Sequence, residues 1–238
     1  MITVLLCCWT SLVIFLWMVH GKFYWTRPPW MILLAFAGAG LASSVPAMVC
    51  NWFLSEKTAF WAFDPDPFNS FAGFCIGAGV SEELWKFGCG LIVVTVMGRD
   101  IGDAGRMLGF VTVGLVFATV ENLSSYSGIS TPQLVARGFI SVPMHATLGV
   151  LHGIAVNWAY RGNAAWPLFL GYGLSIGLHT LHDTWGVFLP EPWVWLPIIM
   201  MIVLLVVWAL WMWWHVPEVP GLSRSQRLRK ASKSVREW

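Results

Sequence analysis

The stretch that decides how this chain folds is "GAGVSEELWKFGCGLIVVTVM", residues 77–97. Its apolar composition is typical of a membrane-spanning helix, yet Glu82, Glu83 and Lys86 lie in its middle. An ionised side chain at the centre of a bilayer costs about 2.5–3.5 kcal/mol on insertion scales. We therefore expect these charges to face one another, or a water-filled cavity, inside a bundle of helices.

The composition of the whole chain indicates a polytopic membrane protein. Of its 238 residues, 57% are hydrophobic and only 11% are charged, which is too little polar surface for a soluble domain of this size. The five cysteines lie in apolar segments without CxxC spacing. We expect them to be packing residues and not a disulfide or zinc framework.

Seven apolar runs are long enough to cross a hydrocarbon core of about 30 Å. They are residues 2–19, 31–54, 70–97, 107–126, 134–160, 166–189 and 194–214. The prediction is an all-α polytopic membrane protein of about seven transmembrane helices, with a conical polar cavity among helices 3–6. A single transmembrane domain covers residues 1–215, with its catalytic core at about 70–189, and a basic tail follows at 216–238.

Basic residues fall in alternate connections between these runs. They are Lys22, Arg27, Arg99, Arg106, Arg161 and the basic residues of the tail. Seven crossings put all of them on one side, which the positive-inside rule assigns to the cytoplasm. We predict a multi-pass protein of the cell membrane, with its N-terminus outside and its C-terminus cytoplasmic. The tail is expected to contact anionic lipid, and no nucleic-acid partner is predicted.

Further polar side chains, most of them acids and imidazoles, occur in the fourth, fifth and sixth runs. They are Glu121, Asn122, His145, His179, His182 and Asp183. His179 and Asp183 are four residues apart, so their side chains are neighbours on one helix face. Counted along the helices, the acids and imidazoles share similar depths in the middle or outer half of the bilayer. This coincidence predicts one site built from four helices.

A carboxylate beside water, with imidazoles in reach, is the equipment for hydrolysis. The glutamate takes a proton from water, and a histidine stabilises the charge that develops on the carbonyl oxygen. Glu82 and Glu83 lie about 100° apart on an α-helix, so both cannot point equally into one cavity, and we predict Glu82 as the base. The same residue types also bind zinc, and their spacing does not decide between the two chemistries.

Other functions fit the sequence less well. A proton- or ion-coupled transporter or channel could use the same buried groups, but paired, interrupted helices in two matching halves are not found. A non-catalytic membrane scaffold is a third alternative. The sequence has no HExxH motif, and "GLSIG" around Ser175 is weak evidence for a serine nucleophile in a glycine-rich helix.

Four motifs follow one another on successive hydrophobic helices: "EELWK", "FATVEN", "HATLG" and "HTLHD". Together they resemble the PrsW family of intramembrane proteases, within the superfamily of CAAX prenyl-proteases and bacteriocin-immunity (Abi) proteins. The resemblance covers residues 81–185, under half of the chain. It implies hydrolysis of a peptide bond in a membrane-embedded or membrane-proximal polypeptide.

The resemblance also implies roles for individual residues. The catalytic set it implies is Glu82, Glu83, Glu121, His145, His179 and Asp183, supported by Lys86, Asn122 and His182. The double glutamate activates water, while the histidines and Asp183 position it or form the oxyanion site. Related members carry Asn in place of Asp183. The expected partner is a single-pass or membrane-anchored protein substrate, which for some members is an anti-sigma factor.

The cofactor stays open at this point. Members of the superfamily are described both as glutamate-type and as metal-dependent. The best candidate zinc ligands are His145, His179 and Glu121, which come from three helices without a short two-ligand motif. We expect that no tightly held zinc is required, with zinc as the alternative.

Overall fold

The structure is a computed structural model of the chain. It describes residues 29–57, 67–98, 101–125 and 130–188, together with the single positions Ser11, Val13, Ile14, Ile199 and Val203. Apart from those single positions, the predicted first and seventh helices lie outside the described residues. The predicted basic tail lies outside them entirely.

The described part of the chain is helical and contains no strand. Its elements are α1 (Pro29–Lys57), α2 (Pro67–Phe74), a π-helix (Cys75–Glu82), α3 (Glu83–Met97), α4 (Gly102–Ser125), α5 (Thr131–Gly162) and α6 (Trp166–Phe188). These elements coincide with the second to sixth predicted runs. The prediction of an all-α fold is confirmed for the described residues.

Three of these helices are long and apolar enough to cross a membrane. The stretches concerned are Trp30–Leu54, Gly102–Ser124 and Thr131–Gly162. The described part of the chain is therefore all-helical and contains three candidate membrane-spanning helices. Seven crossings stay a prediction.

Local sequence sets several helix ends. At the start of α5, the backbone N–H of Ser130 donates to Gln133 Oε1 at 2.8 Å, half of a capping box. That helix ends at Asn163, whose φ of 47° is left-handed and whose N–H bonds the Ala159 carbonyl. At the end of α3, Gly98 has a φ of 74°. Glycine and asparagine adopt these conformations at the least cost, so they end helices here.

The core lies where α1, α4 and α5 pack together. Buried aliphatic side chains of all three helices form one cluster, which includes Leu33, Leu108 and Val142. Beside it, the Phe36 and Phe110 rings meet with centroids 5.6 Å apart. Between helices in lipid, burial gives little hydrophobic gain, so close packing contributes most of the association.

The closest approach is between the backbones of α4 and α5. A Cβ atom on Gly114 of α4 would lie 2.2 Å from the carbonyl oxygen of His145. A Cβ on Gly149 of α5 would lie 2.4 Å from the Phe110 carbonyl oxygen. Only glycine fits at either position, and the contact holds His145 against α4.

The helix that carries the double glutamate is not uniformly α-helical. Residues Cys75–Glu82 form a π-helix between α2 and α3, where the sequence predicted one α-helix. A Cβ on Gly79 would lie 2.5 Å from Thr180 Oγ1 of α6, so the π-helix packs closely on α6. Tyr172 of α6 also donates its hydroxyl hydrogen to the Val80 carbonyl at 3.1 Å. π-Helical segments are frequent at functional sites, and this one ends at Glu82, directly before Glu83.

Candidate active site

The acids and imidazoles predicted from the sequence meet in one cluster, in which Glu82, Glu83, His145 and His179 are buried and Glu121 and Asp183 are half-buried. α3 and the π-helix supply the double glutamate and Lys86, α4 supplies Glu121, α5 supplies His145, and α6 supplies His179 and Asp183. Each of these side chains contacts at least one of the others. The structure brings these side chains together, and their roles as a catalytic site stay a prediction.

Glu83 is completely buried, is bonded by two basic side chains and lies beside a third. Its Oε1 atom accepts hydrogen bonds from Lys86 Nζ and from His179 Nδ1, the latter at 2.7 Å. Its Oε2 atom lies 3.6 Å from His152 Nε2, beyond hydrogen-bond distance, and has no hydrogen-bond partner within the described part of the chain. A carboxylate with such partners is fixed in place as an anion, and it orients the His179 ring.

Glu82 has a looser environment. Its Oε1 atom accepts a hydrogen bond from the side-chain amide of Asn51 of α1 at 3.1 Å. Its Oε2 atom lies 3.7 Å from Lys86 Nζ and 3.9 Å from His179 Nε2, and has no hydrogen-bond partner among the described residues. Glu83 Oε2 also lacks a hydrogen-bond partner among the described residues, but it faces His152. Glu82 Oε2 instead lies beside His179, where it is left for water, substrate or a metal ion.

The two glutamates do not separate as the sequence suggested. A rotation of 100° predicts that the two cannot point equally into one cavity, yet both approach Lys86 and His179. Glu82 ends the π-helix and Glu83 begins α3, so the ideal α-helical rotation does not describe this step. Lys86, three and four residues further on, also reaches both carboxylates.

His145 lies between Lys86 and Glu121. Its Nδ1 atom is 3.0 Å from Lys86 Nζ, and its Nε2 atom is 2.9 Å from Glu121 Oε2. The other oxygen of Glu121 accepts a hydrogen bond from Arg137, which also donates to Asn122 Oδ1 at 2.8 Å. Glu121 therefore orients His145 in the same way that Glu83 orients His179.

The last motif contributes His179 with its helical neighbours. The His179 ring meets the His145 ring edge-on, with centroids 5.2 Å apart. Its Nε2 atom lies 3.4 Å from Asp183 Oδ2, and His182 Nδ1 lies 2.9 Å from Asp183 Oδ1. Asp183 is thus held by His182 and presents one oxygen to His179.

Ser175, the serine of "GLSIG", is directed away from this chemistry. It is fully buried, and its hydroxyl donates to the Gly171 carbonyl of its own helix at 2.9 Å. A hydroxyl that bonds the preceding turn is a common arrangement for serine in a membrane helix.

The charges of the cluster are unbalanced. The described residues supply four carboxylates (Glu82, Glu83, Glu121 and Asp183) against two permanent cations, Lys86 and Arg137. Burying an uncompensated charge is costly, so the difference must be offset by protons on the cluster or by a bound cation.

The donor set fits a divalent metal ion. Glu82, His145 and His179 are all buried, and each offers one ligand atom within 4.8 Å of the others. Imidazole and carboxylate groups are common zinc ligands, and Glu82 Oε2 has no hydrogen-bond partner among the described residues. Glu83 orients the His179 ring, and Glu121 orients the His145 ring. The ligand set expected from sequence contained Glu121, whereas the structure groups Glu82 with the histidines.

Three contributors to the cluster were not assigned a role from the sequence, one of them His152 beside Glu83. Asn51 lies on α1, outside the four motifs, and binds Glu82. Arg137 precedes His145 by two turns and pairs with Glu121. A single amide or guanidinium inside an apolar run is a detectable signal, because lipid would reject either group.

Comparison with known proteins gives one match. A family model described as PrsW family intramembrane metalloprotease matches residues 27–211. That range contains α1 to α6 and every residue of the cluster. No curated protein and no solved structure gives a significant match.

Proposed function

This chain belongs to the PrsW family of intramembrane proteases, and from that membership and the geometry of the cluster we propose how it hydrolyses a peptide bond. The reaction takes place in a polar cavity among α3–α6, where Glu82 activates water. One observation carries the proposal: Glu82 Oε2 is buried beside His179 and has no hydrogen-bond partner among the described residues. No contact among those residues favours the transporter alternative.

Glu82 acts as the general base in this proposal. Its free oxygen takes a proton from a water molecule, which then attacks the scissile carbonyl carbon. The same carboxyl group later gives that proton to the departing amine nitrogen. Asn51 holds the other oxygen of Glu82, so the carboxylate is oriented during both transfers.

His179 serves the carbonyl oxygen. Its Nδ1–H is directed to Glu83, which leaves Nε2 as the ring atom that faces Glu82 and Asp183. When Nε2 carries a proton, it donates to the oxygen on which negative charge develops. Asp183 stabilises that proton, and His145 lies alongside with its ring fixed by Glu121.

Glu82, His145 and His179 would hold the metal that the family description names. A divalent ion bound there supplies a Lewis acid, which polarises the carbonyl group and lowers the pKa of bound water. The expectation that activity needs no tightly held zinc stays a prediction. Both versions of the chemistry use the same three side chains.

The substrate is proposed to be a single-pass or membrane-anchored protein, such as an anti-sigma factor. A buried polar site can accept peptide only where the backbone is unwound, which favours a segment at or near the membrane surface. The protein lies in the cell membrane with its N-terminus outside, so the proposed site opens toward the outer half of the bilayer.

The test uses the purified full-length chain in lipid with a library of single-pass membrane proteins. Products are identified by mass spectrometry. Wild-type protein is expected to cleave at least one substrate, and Glu82→Gln is expected to lower the rate by about 10²-fold or more. Ser175→Ala is the matched control. The Ser175 hydroxyl donates to the Gly171 carbonyl of its own helix, so this variant should keep the wild-type rate.

Chelation separates the two cofactor alternatives. If a chelator abolishes cleavage and zinc restores it, the metal-dependent version is correct and the zinc-free expectation is wrong. Full activity of metal-free protein would establish the glutamate version. Ion flux with no cleavage of any substrate would contradict the proposed function as a whole.

A further inference from the structure

Lys86 is the basic side chain at the centre of the described cluster. Its Nζ atom forms an ion pair with Glu83 and lies 3.0 Å from His145 Nδ1 and 3.7 Å from Glu82 Oε2. It also lies 4.4 Å from the centroid of the Phe117 ring, which attracts a cation. Lysines are rarely buried, and the buried Lys86 amine lies among two carboxylates and an imidazole nitrogen.

The contact with His145 fixes which nitrogen of that ring carries the hydrogen. An ammonium group can only donate hydrogen bonds, so Nδ1 must accept with its lone pair. The hydrogen is then on Nε2, which donates it to Glu121. A metal ion needs the same Nδ1 lone pair, because the other nitrogen is committed to Glu121.

Two of the three candidate metal ligands, Glu82 and His145, are therefore in contact with the Lys86 ammonium. We propose that Lys86 and a divalent metal ion are alternative occupants of this cage, so that Lys86 acts as the cation of the metal-free site and weakens metal binding. The inference rests on the metal set named under the proposed function.

Lys86 and a metal ion would each supply positive charge to the carboxylates of the cluster. When a metal ion enters, Lys86 gives up His145 and Glu82 but keeps its ion pair with Glu83, since its long side chain can move. When Lys86 is removed, the carboxylates lose their nearest cation and a metal ion gains more by replacing it. Removal of Lys86 should thus weaken the metal-free protein and strengthen metal binding.

The experiment measures zinc affinity of full-length protein in lipid nanodiscs, stripped of metal and titrated with Zn²⁺ against a chromophoric chelator. Lys86→Met is expected to bind Zn²⁺ about tenfold more tightly than wild type, or more, a change of the size that single outer contacts produce at metal sites. Zn²⁺ should also raise its thermal stability by more than it raises that of wild type. Equal or weaker binding than wild type, or no binding by either protein, would overturn the inference.

Two controls separate the possible causes. Arg106→Met removes another buried cation, one that binds Asn157 and Asp103 away from the cluster, and it should lower stability without changing zinc affinity. His145→Ala tests the metal set itself. If His145→Ala loses zinc but Lys86→Met binds no more tightly, the metal set stands and competition by Lys86 is wrong. If His145→Ala binds zinc normally, the metal set and this inference both fail. The proposed protease function is tested independently, by cleavage and its loss in Glu82→Gln.

A second comparison guards against misfolding of Lys86→Met. Glu83→Gln and Glu83→Gln/Lys86→Met differ only in the ammonium group, and the double variant loses a negative and a positive charge together. The three proposed ligands are intact in both. The double variant should bind Zn²⁺ more tightly than Glu83→Gln alone, and equal affinities would contradict the proposal.

Discussion

Glu82 and Glu83 are adjacent in the chain but differ in what surrounds them. Glu83 is completely buried, shares one oxygen between Lys86 and His179, and has its other oxygen 3.6 Å from His152 Nε2. Glu82 binds Asn51 through one oxygen and keeps the other without a described partner. The first environment stabilises a fixed anion, and the second leaves a carboxylate able to react.

Stability should separate the two glutamates. Glu83→Gln leaves Lys86 without its ion-pair partner, and breaking a buried pair on one side costs about 3–5 kcal/mol. Glu82→Gln should cost less, because an amide can still contact Asn51. Reversible unfolding in mixed micelles measures both, with Ser175→Ala as the reference for a neutral change. Equal losses of stability for the two glutamine variants would contradict this distinction.

Asp183 is expected to tolerate replacement by asparagine. The amide keeps an oxygen for His182 Nδ1 and preserves the volume of the side chain, whereas Asp183→Ala removes both. We expect Asp183→Asn to retain cleavage within about tenfold of wild type, and Asp183→Ala to lose more, as for other residues that orient a reactive ring. Initial rates on one substrate measure this. A loss of both bound zinc and rate in Asp183→Asn would instead identify Asp183 as a metal ligand.

At the scale of helices, the position of His145 depends on the contact between α4 and α5. Gly114 faces the carbonyl oxygen of His145 itself, and Gly149 faces that of Phe110. Both obstacles are backbone atoms, which cannot rotate away as a side chain can. A methyl group at either glycine must separate the two helices.

Gly114→Ala should therefore disturb the site from a distance. The added Cβ would lie 2.2 Å from the His145 carbonyl oxygen, and overpacking of this kind costs about 1–3 kcal/mol. Cleavage should fall, because His145 and Glu121 lie on the two helices that are forced apart. Gly173→Ala on α6 is the matched control, since a Cβ there meets nothing within 4 Å. Thermal unfolding and cleavage rates test both variants, and normal activity of Gly114→Ala would show that this contact is not needed.

The predicted orientation of the protein in the membrane follows from the basic residues in the connections between the apolar runs. Ser127 lies in a connection predicted to be outside, and Ser225 lies in the predicted cytoplasmic tail. The five native cysteines all fall in apolar segments, so replacing them with serine or alanine gives a background for labelling.

The orientation is testable in intact cells with a membrane-impermeant maleimide. On the cysteine-free background, Ser127→Cys should be labelled, while Ser225→Cys should react only after the membrane is permeabilised. The physical reason is the positive-inside rule applied to seven crossings. Labelling of Ser225→Cys in intact cells would mean an even number of crossings or the reverse orientation.

The positions of the described helices, and the need for their charged side chains to avoid lipid, follow from the amino-acid sequence alone. Apolar runs longer than the bilayer core fixed the described helices, and charges such as Glu82 and Glu121 could not face lipid. Contacts within one helix, such as Lys86 with both glutamates, also follow from the helical period. The four motifs carried the family resemblance, which the match over residues 27–211 confirmed.

The partner of each polar group follows only from how the helices pack. Asn51 binds Glu82, Arg137 binds Glu121, and Glu82 replaces Glu121 in the group that fits a metal ion. The period of a sequence fixes the rotation of residues within a helix, but not the rotation of one helix against the next. That rotation is set by close contacts such as Gly114 with His145, and by the π-helix that ends at Glu82.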